Sequence, residues 1–170
     1  MKNRLFWILG FCLVPFISSA QTKQLSALNG RQFNKFWCVE SESPDYKITF
    51  LGDTVEILSP KGLTLWRKEK MIGETTIEYD ACVIDESKKG DRLSDLNCFW
   101  MASDPKYPND ILKRKSWRNG IFMNCYSLQL YYLGYGGNSN STTRFRRYNG
   151  DERGIKDKAF QPAILREYTD

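Results

Sequence analysis

Short stretches in which apolar and polar residues alternate follow one another along the first half of the chain. Each is rich in Val, Ile, Thr and aromatic residues, and Gly, Pro, Asp or Ser fills the gaps between them. Successive segments of this kind are typical of strands in an all-β sandwich or barrel, and they lack the periodicity of a helix. The pattern predicts strands in FWCVE, YKITFLG, DTVEILS, GLTLWRK and ETTIEYDACVID.

The clearest alternation runs through GETTIEYDACVI, at positions 73–84. Side chains point to opposite faces in turn along a strand, so one face is predicted to pack and the other to be polar. The polar face is interpreted either as solvent-exposed or as the wall of a groove. The packed face carries Thr75, Ile77, Tyr79, Ala81 and Val83, and the polar face carries Thr76, Glu78, Asp80 and Cys82.

The second half of the chain mixes predicted strands with longer connections. The charged stretch 85–95 predicts a loop, LNCFWMA predicts a strand, and the proline-containing segment 103–120 predicts a long loop. IFMNCYSLQLYYLG and STTRFRRYNG then predict a β-hairpin that turns at GGNSN. The tail 151–170 predicts a helical turn near 157–160 and an end without a closing strand. The alternative is that DERGIKDKAF folds over the open edge of the sheet and ILREYTD supplies a final strand, which would give a compact smaller domain.

The first twenty residues have the pattern of a secretory signal peptide. Lys2 and Arg4 precede an apolar run that is too short for a membrane span, and small residues lead up to Ala20. Gln21, rather than a cysteine, follows these small residues, which predicts export without a lipid anchor. We therefore expect a signal peptide over 1–20 and a single domain over 21–170, located in the periplasm or outside the cell.

The charge of the chain favours some partners over others. Removal of Lys2 and Arg4 with the signal peptide lowers the formal net charge from +5 to +3, and charges of both signs are scattered along the chain. A net positive charge this small on an exported protein does not indicate nucleic-acid binding, whereas it is compatible with binding of an acidic glycan. We expect neither nucleic-acid binding nor membrane insertion.

The cysteines and the missing histidine limit the available chemistry. Four cysteines remain after position 20, and either buried thiols or one or two disulfides fit their strand-like settings. Their wide spacing does not suit a zinc site, so no metal and no cofactor is predicted. The chain contains no histidine, which excludes Ser/His/Asp and Cys/His catalysis. The four cysteines are Cys38, Cys82, Cys98 and Cys125.

The predicted hairpin carries an unusual density of aromatic and arginine side chains. If Leu130 and Phe145 both face the core, the opposite side of the hairpin becomes a single polar face. Sugar rings stack on aromatic side chains, and arginine forks bind carboxylates, so this face predicts a groove for acidic sugars. The alternative is an edge strand that carries arginine for solubility. The predicted polar face consists of Gln129, Tyr131, Arg144, Arg146 and Tyr148.

Further candidate sugar-binding residues flank this face. Tyr135, Asn138 and Asn140 lie in or beside the GGNSN turn, and Asn97 and Trp100 lie in DRLSDLNCFWMASD. Amide and aromatic side chains together suit a glycan, whereas the alternative for the second segment is a charged loop capped by Asp95.

Several of these segments resemble a family of exported proteins from polysaccharide-degrading Bacteroidota, in the concanavalin A-like group and associated with pectin-type glycans. The resemblance implies an all-β jelly-roll sandwich of two antiparallel sheets with a carbohydrate-facing concave sheet. Such proteins continue past the EYTD segment, so we expect a truncated, aggregation-prone product here, and a monomer if the fold is complete. The segments are GLTLWRKEK, IEYDACVIDE, DRLSDLNCFWMASDP, SWRNGIF, YYLGYGGNSNSTTRFRRYNGD and ILREYTD.

Two functions fit these residues. In a lyase acting on uronate polysaccharide, Arg144 and Arg146 would neutralise the carboxylate, and Tyr131, or alternatively Tyr132 or Tyr135, would remove the adjacent proton. In a non-catalytic carbohydrate-binding module, the same side chains would bind without chemistry. Both hypotheses predict that binding depends more on these arginines than on the loop lysines Lys113 and Lys115.

Overall fold

The computed structural model describes residues 30, 32–52, 54–87, 91–93, 96–157 and 159–169. The predicted signal peptide and Asp95 lie outside this part of the chain. The described residues form eight strands, all paired antiparallel, which confirms the all-β prediction. The strands are β1 (Trp37–Ser41), β2 (Lys47–Leu51), β3 (Thr54–Leu58), β4 (Leu63–Arg67), β5 (Leu96–Ser103), β6 (Gln129–Gly136), β7 (Thr142–Asn149) and β8 (Ala163–Thr169).

The strands divide into one larger sheet and two ribbons. β5, β6, β7 and β8 form a four-stranded sheet in that order, whereas β1 pairs with β4 and β2 pairs with β3. Short helical turns lie between the strands. They cover Phe33–Phe36, Lys115–Arg118, Gly137–Asn140 and Arg153–Lys156, with 3₁₀ turns at Ile111–Arg114 and Phe122–Ser127.

The predicted hairpin at GGNSN is confirmed, because β6 and β7 pair across this turn. Gly136 enters the turn with a φ of +71°, a left-handed conformation that glycine adopts without strain. A Cβ atom at this position would lie 2.7 Å from Oδ1 of Asn140. The left-handed conformation therefore favours glycine at this position.

The core lies between the β1/β4 ribbon and one face of the four-stranded sheet, which we call the inner face. Trp66 of β4 stacks on Phe99 of β5 with ring centroids 5.6 Å apart. Leu130, Tyr132 and Tyr148 are buried in the same cluster. Because these residues alternate along β6 and β7, the opposite face of the sheet, the outer face, points away from this core.

The prediction of a strand in residues 74–84 is wrong. Residues 71–87 have no regular structure, and most of their side chains, including Ile77, Tyr79 and Ile84, are exposed. A strand needs a hydrogen-bonded neighbour, and no described strand pairs with this segment. The alternation of apolar and polar residues therefore showed that this sequence is compatible with a strand, but it did not show that a neighbouring strand is available to pair with it.

Two predictions about the later segments are also corrected. The tail does contain a strand, which agrees with the alternative that ILREYTD supplies one: β8 pairs with β7 from Thr142 to Arg147 and places Glu167 opposite Arg144. Residues 122–127 form a 3₁₀ turn instead of the start of a strand, and backbone hydrogen bonds from Asn124 to Ile121 and from Leu128 to Cys125 lie at its two ends. The predicted helical turn lies slightly earlier, at Arg153–Lys156.

The predicted long loop at 103–120 contains a buried ionic network. Asp104 accepts hydrogen bonds from Nε and Nη2 of Arg114, at 2.7 and 2.9 Å. Arg118 donates to Oε1 of Glu40 at 2.5 Å and to the carbonyl oxygen of Ile111 at 2.7 Å. The side chains of Asp104 and Arg118 are fully buried, so this network holds the segment against β1.

At its solvent-facing end, the network includes Glu152, and its hydrogen bonds and charges lower the pKa values of two carboxyl groups. Glu152 accepts from Nη1 of Arg114 at 2.7 Å and from Nζ of Lys106 at 2.8 Å. Burial alone raises the pKa of Asp104, but hydrogen bonds from Arg114 and the Lys106 amide, with the nearby arginine charges, hold it below its ordinary value. The hydrogen bond from Lys106 is the largest influence on Glu152, whose pKa is also lowered.

These lowered pKa values predict loss of stability in acid. A carboxyl group whose pKa is depressed by folding contributes stability above its unfolded value, about 4. That contribution is lost as the pH falls through the folded-state pKa. We expect the thermal midpoint to stay level from pH 7 to about 5 and to drop below about pH 4, and we expect Asp104→Asn to make this acid dependence shallower. Equal acid dependence in both proteins, measured by circular dichroism, would contradict this role for Asp104.

Candidate functional site

The pairing of β6 with β7 decides which side chains share a face. Leu130 is opposite Tyr148, Tyr131 is opposite Arg147, and Tyr132 is opposite Arg146. Directly opposed residues point to the same side of a sheet. The predicted polar face is therefore wrong, because Gln129 and Tyr131 lie on the outer face and the other three predicted residues lie on the inner face.

The physical reason for this error is the register. The prediction took Leu130 and Phe145 as members of one core face, but Phe145 is opposite Leu133 and lies on the outer face. A shift of one residue in register moves every side chain of a strand to the other face. Leu130 remains in the core, and its opposite residue Tyr148 joins it there.

The predicted residues on the inner face, Arg144, Arg146 and Tyr148, each contact a neighbouring side chain, although the hydroxyl of Tyr148 and Nε of Arg146 are buried without a hydrogen-bond partner among the described residues. Tyr148 is 2% exposed and packs edge-on against Tyr126 at 5.1 Å, and burial raises the pKa of its hydroxyl. Arg144 forms an ion pair with Glu167 of β8. Arg146 donates from Nη1 to Oε1 of Gln161 at 3.3 Å. Tyr148 is thus a core residue, and Arg144 has a carboxylate partner within the sheet.

On the outer face, three aromatic rings from three neighbouring strands form what we call the aromatic cluster. Trp100 of β5, Tyr131 of β6 and Phe145 of β7 have ring centroids 5.6–5.9 Å apart. Their planes are close to parallel, with interplanar angles of 3–27°. This is the offset-stacked arrangement that aromatic pairs prefer. All three residues are partly exposed.

Two arginines border the aromatic cluster. Arg147 is opposite Tyr131, and Arg166 of β8 is opposite Phe145. Both residues are exposed, and neither forms an ion pair within the described part of the chain. The paired outer-face positions of the four strands carry no acidic residue among those described. The cluster therefore lies beside two positive charges that no described side chain neutralises.

The remaining predicted residues are distributed over three places. Tyr135 lies on the outer face opposite Leu96, and it is exposed. Asn97 lies on the inner side, where its Oδ1 accepts a 2.9 Å hydrogen bond from the hydroxyl of Tyr132. Asn138 and Asn140 lie in the hairpin turn with left-handed backbone conformations. The structure thus brings together Trp100, Gln129, Tyr131 and Tyr135 on the outer face, apart from the other predicted residues.

Sequence reasoning missed Phe145, Arg147 and Arg166 as site residues. Phe145 was assigned to the core, which followed from the wrong register, so Arg147, two positions further along the same strand, was not considered as a site residue. The length of the turn carried the relevant signal, because turn geometry fixes the register of a hairpin. Arg166 was missed because a strand in ILREYTD was considered only as an alternative and no face was assigned to its residues.

The four predicted cysteines are free thiols in the structure. Cys38 and Cys125 are in the core, and burial raises the pKa of Cys125 to about 12. Cys82 is exposed, whereas Cys98 lies on the outer face opposite Leu133 and is partly exposed. The described residues contain no group of three or more metal-binding side chains placed to hold an ion. No helix in the described part of the chain is long and apolar enough to cross a membrane.

The comparison with protein families gives one match. The sequence model described as "Domain of unknown function (DUF6250)" matches residues 57–170. The matched range includes the whole four-stranded sheet and all the residues of the aromatic cluster. No match was found among curated proteins or among solved structures.

Proposed function

The chain belongs to the DUF6250 family of domains of unknown function, and we propose that it is an exported protein that binds an acidic, pectin-like polysaccharide on its outer face. The observation that supports this proposal is the aromatic cluster of Trp100, Tyr131 and Phe145 beside Arg147 and Arg166. Neither arginine has an ion-pair partner among the described residues, and the guanidinium of Arg166 lies 5.2 Å from the ring centroid of Tyr168. Together, the aromatic rings and the two guanidinium groups provide a stacking surface and positive charges, the two kinds of group that bind an acidic sugar.

The aromatic cluster and the arginines would recognise different parts of such a ligand. The C–H faces of a sugar ring are apolar and pack against aromatic side chains. A uronate carboxylate accepts two parallel hydrogen bonds from one guanidinium group, which keeps its charge at any physiological pH. Arg147 and Arg166 are available for this role, whereas Arg144 is already paired with Glu167.

Protection of a sheet edge does not explain Arg147. Edge strands carry charged residues that discourage pairing with other chains. β7, however, lies between β6 and β8, so Arg147 is at an interior position of the sheet. Its exposure together with its interior position supports a binding role more than a solubility role.

A uronate lyase is the second candidate, with different residues from those predicted. Tyr131 and the pair Arg144 and Arg146 are on opposite faces and do not reach the same sugar ring. The outer face offers Tyr131 directly opposite Arg147 instead. In that arrangement Arg147 would neutralise the carboxylate and Tyr131 would remove the proton. Unsaturated products that absorb in the ultraviolet would identify elimination, and binding without them would identify a binding module.

We expect replacement of Arg147 and Arg166 by alanine to weaken binding of galacturonate oligomers by about tenfold or more per arginine, because charged hydrogen bonds contribute about 1.5–3 kcal/mol each. The matched control is Lys113→Ala with Lys115→Ala, which removes the same charge from exposed positions. Isothermal titration calorimetry measures both. Equal losses would point to bulk charge and contradict the site.

A further inference from the structure

β5 contains a β-bulge that changes which of its side chains lie on the outer face. Trp100 is opposite Tyr131. The next paired residue, Ser103, is opposite Gln129, so two residues of β5 lie across from one residue of β6. The first of these two, Met101, has a φ of +52°, the left-handed conformation that glycine usually supplies in this type of bulge. The fold therefore maintains an unfavourable backbone conformation at this point of the sheet.

The bulge reverses the alternation of side chains after Met101. In a regular strand, Ala102 would share the outer face with Trp100, and Ser103 would point inward. Instead, Ala102 packs against the core, Ser103 is opposite an outer-face residue, and Asp104 is fully buried in the ionic network. The same bulge thus places a carboxylate in the interior and a hydroxyl group on the outer face.

The hydroxyl group of Ser103 begins a row of polar side chains across three strands of the outer face, which we call the polar row. Gln129 of β6 is opposite Ser103 on one side and opposite Asn149 of β7 on the other. Directly opposed side chains point to the same side of a sheet. With strands about 4.8 Å apart, the polar row is roughly 10 Å long. It consists of Ser103, Gln129 and Asn149.

The polar row has hydrogen-bonding groups that are not used within the described chain. The side chains of Ser103 and Gln129 have no hydrogen-bond partner there, and Gln129 is exposed. The Oδ1 atom of Asn149 accepts a 3.1 Å hydrogen bond from the backbone amide of Asp151, which leaves the side-chain NH₂ group to donate. Hydroxyl and amide side chains donate and accept hydrogen bonds, as sugar hydroxyl groups do. The row therefore complements hydroxyl groups, whereas carboxylates are complemented by arginine.

The polar row lies next to the aromatic cluster. Gln129 precedes Tyr131 by two positions on β6, and a separation of two residues along a strand is about 7 Å. Asn149 follows Arg147 by the same separation on β7. A sugar ring that stacks on Tyr131 with its carboxylate on Arg147 can therefore present a hydroxyl-bearing edge to the polar row.

We propose that the polar row binds the ring hydroxyl groups of the acidic sugar and makes the outer face selective for units whose hydroxyl groups are free. This inference rests on the proposed function of the outer face. Arg147 binds the carboxylate, the aromatic cluster contacts the apolar face of the ring, and the polar row binds the hydroxyl-bearing edge. An O-acetylated unit has lost those hydroxyl donors, so it binds more weakly.

An ordinary solvated surface makes a different prediction. Polar side chains are the usual residues on an exposed face, where they bond to water. In that case, their removal leaves the preference between free and acetylated ligands unchanged. If the row binds ring hydroxyl groups, its removal abolishes this preference. A double-mutant cycle, with the protein variant as one change and ligand acetylation as the other, measures the difference.

The test is calorimetric titration of the wild-type protein and of the double variant Ser103→Ala with Gln129→Ala. Each is titrated with galacturonate oligomers and with O-acetylated oligomers of equal length and charge. We expect the double variant to bind the unmodified oligomers roughly twenty-five-fold more weakly, about fivefold for each lost hydrogen bond, with little change for the acetylated oligomers. The matched control is Asn109→Ala with Ser116→Ala, which removes the same kinds of group from exposed positions of the 103–120 segment.

The outcomes separate this inference from the proposed function. If galacturonate oligomers do not bind the wild-type protein, both proposals fail. If they bind, but acetylation changes affinity by the same factor in the wild type and in the double variant, the outer-face site remains supported and the polar-row inference alone is overturned. Circular dichroism checks the fold. If the double variant does not fold, Gln129→Ala, which changes an exposed side chain only, completes the same cycle.

Discussion

Replacement of Arg118 by alanine is expected to lower the free energy of unfolding by about 3–5 kcal/mol, the range for breaking a buried ion pair. Arg118 is fully buried and bonds through two nitrogens to the carboxylate of Glu40, which is itself 3% exposed. Without the guanidinium group, this carboxylate remains in the interior without its partner. The guanidinium also lies 5.6 Å from the ring centroid of Trp66, so packing in the core is lost as well.

Urea unfolding of two further variants makes this prediction specific. Arg153→Ala removes an exposed ion pair with Asp151 and should leave stability nearly unchanged. The double variant Glu40→Leu with Arg118→Met removes both buried charges and should recover much of the loss, because no unpaired charge remains. If Arg118→Ala proves as stable as Arg153→Ala, the buried-pair account is contradicted. If Arg118→Ala does not fold, recovery in the double variant still tests it.

The first four strands could be predicted because their evidence is local. Alternation within FWCVE or GLTLWRK depends on neighbouring residues, and β1 and β4 form where it indicates. The strand predicted at 74–84 had the same alternation but has no neighbour to pair with in the described structure. Strand pairing depends on residues that are distant in the sequence, so local periodicity cannot predict which segments pair.

The buried network could not be predicted for a related reason. Glu40 and Arg118 are separated by 78 positions, and only the packing of β1 against the 103–120 segment brings them together. In the sequence, Asp104, Arg114 and Arg118 are scattered charges in a segment rich in turn-forming residues. Such a segment is typical of an exposed loop, and the structure shows that it carries the most deeply buried charges described.

The sequence predicted which kinds of side chain form the candidate site, but not which particular residues come together there. Trp100 and Tyr131 were chosen because aromatic side chains stack on sugars, and the structure places their rings 5.9 Å apart. The arginines were assigned to the wrong face because the register of β6 and β7 differed by one residue from the assumed one. Arg147 therefore takes the place beside Tyr131 that Arg144 and Arg146 were expected to occupy.

Replacement of Trp100 by alanine is expected to weaken binding of galacturonate oligomers by roughly thirtyfold or more, as expected for an aromatic anchor that the bound ligand covers and that is worth about 2 kcal/mol. Trp100 stacks on both Tyr131 and Phe145, so its loss removes contact area and also loosens the other two rings. Trp100→Phe keeps an aromatic ring and should retain most of the affinity.

The matched control is Trp117→Ala, because Trp117 is an exposed tryptophan that lies beside Arg114, away from the outer face. Neutral oligosaccharides of the same length separate the contributions of the two features. Trp100→Ala should weaken binding of acidic and neutral ligands alike, because stacking does not depend on the carboxylate. The Arg147 and Arg166 variant should weaken binding of the acidic ligand alone. Equal affinities in Trp100→Ala and Trp117→Ala would show that the aromatic cluster is not the binding surface, whatever the arginine variants do.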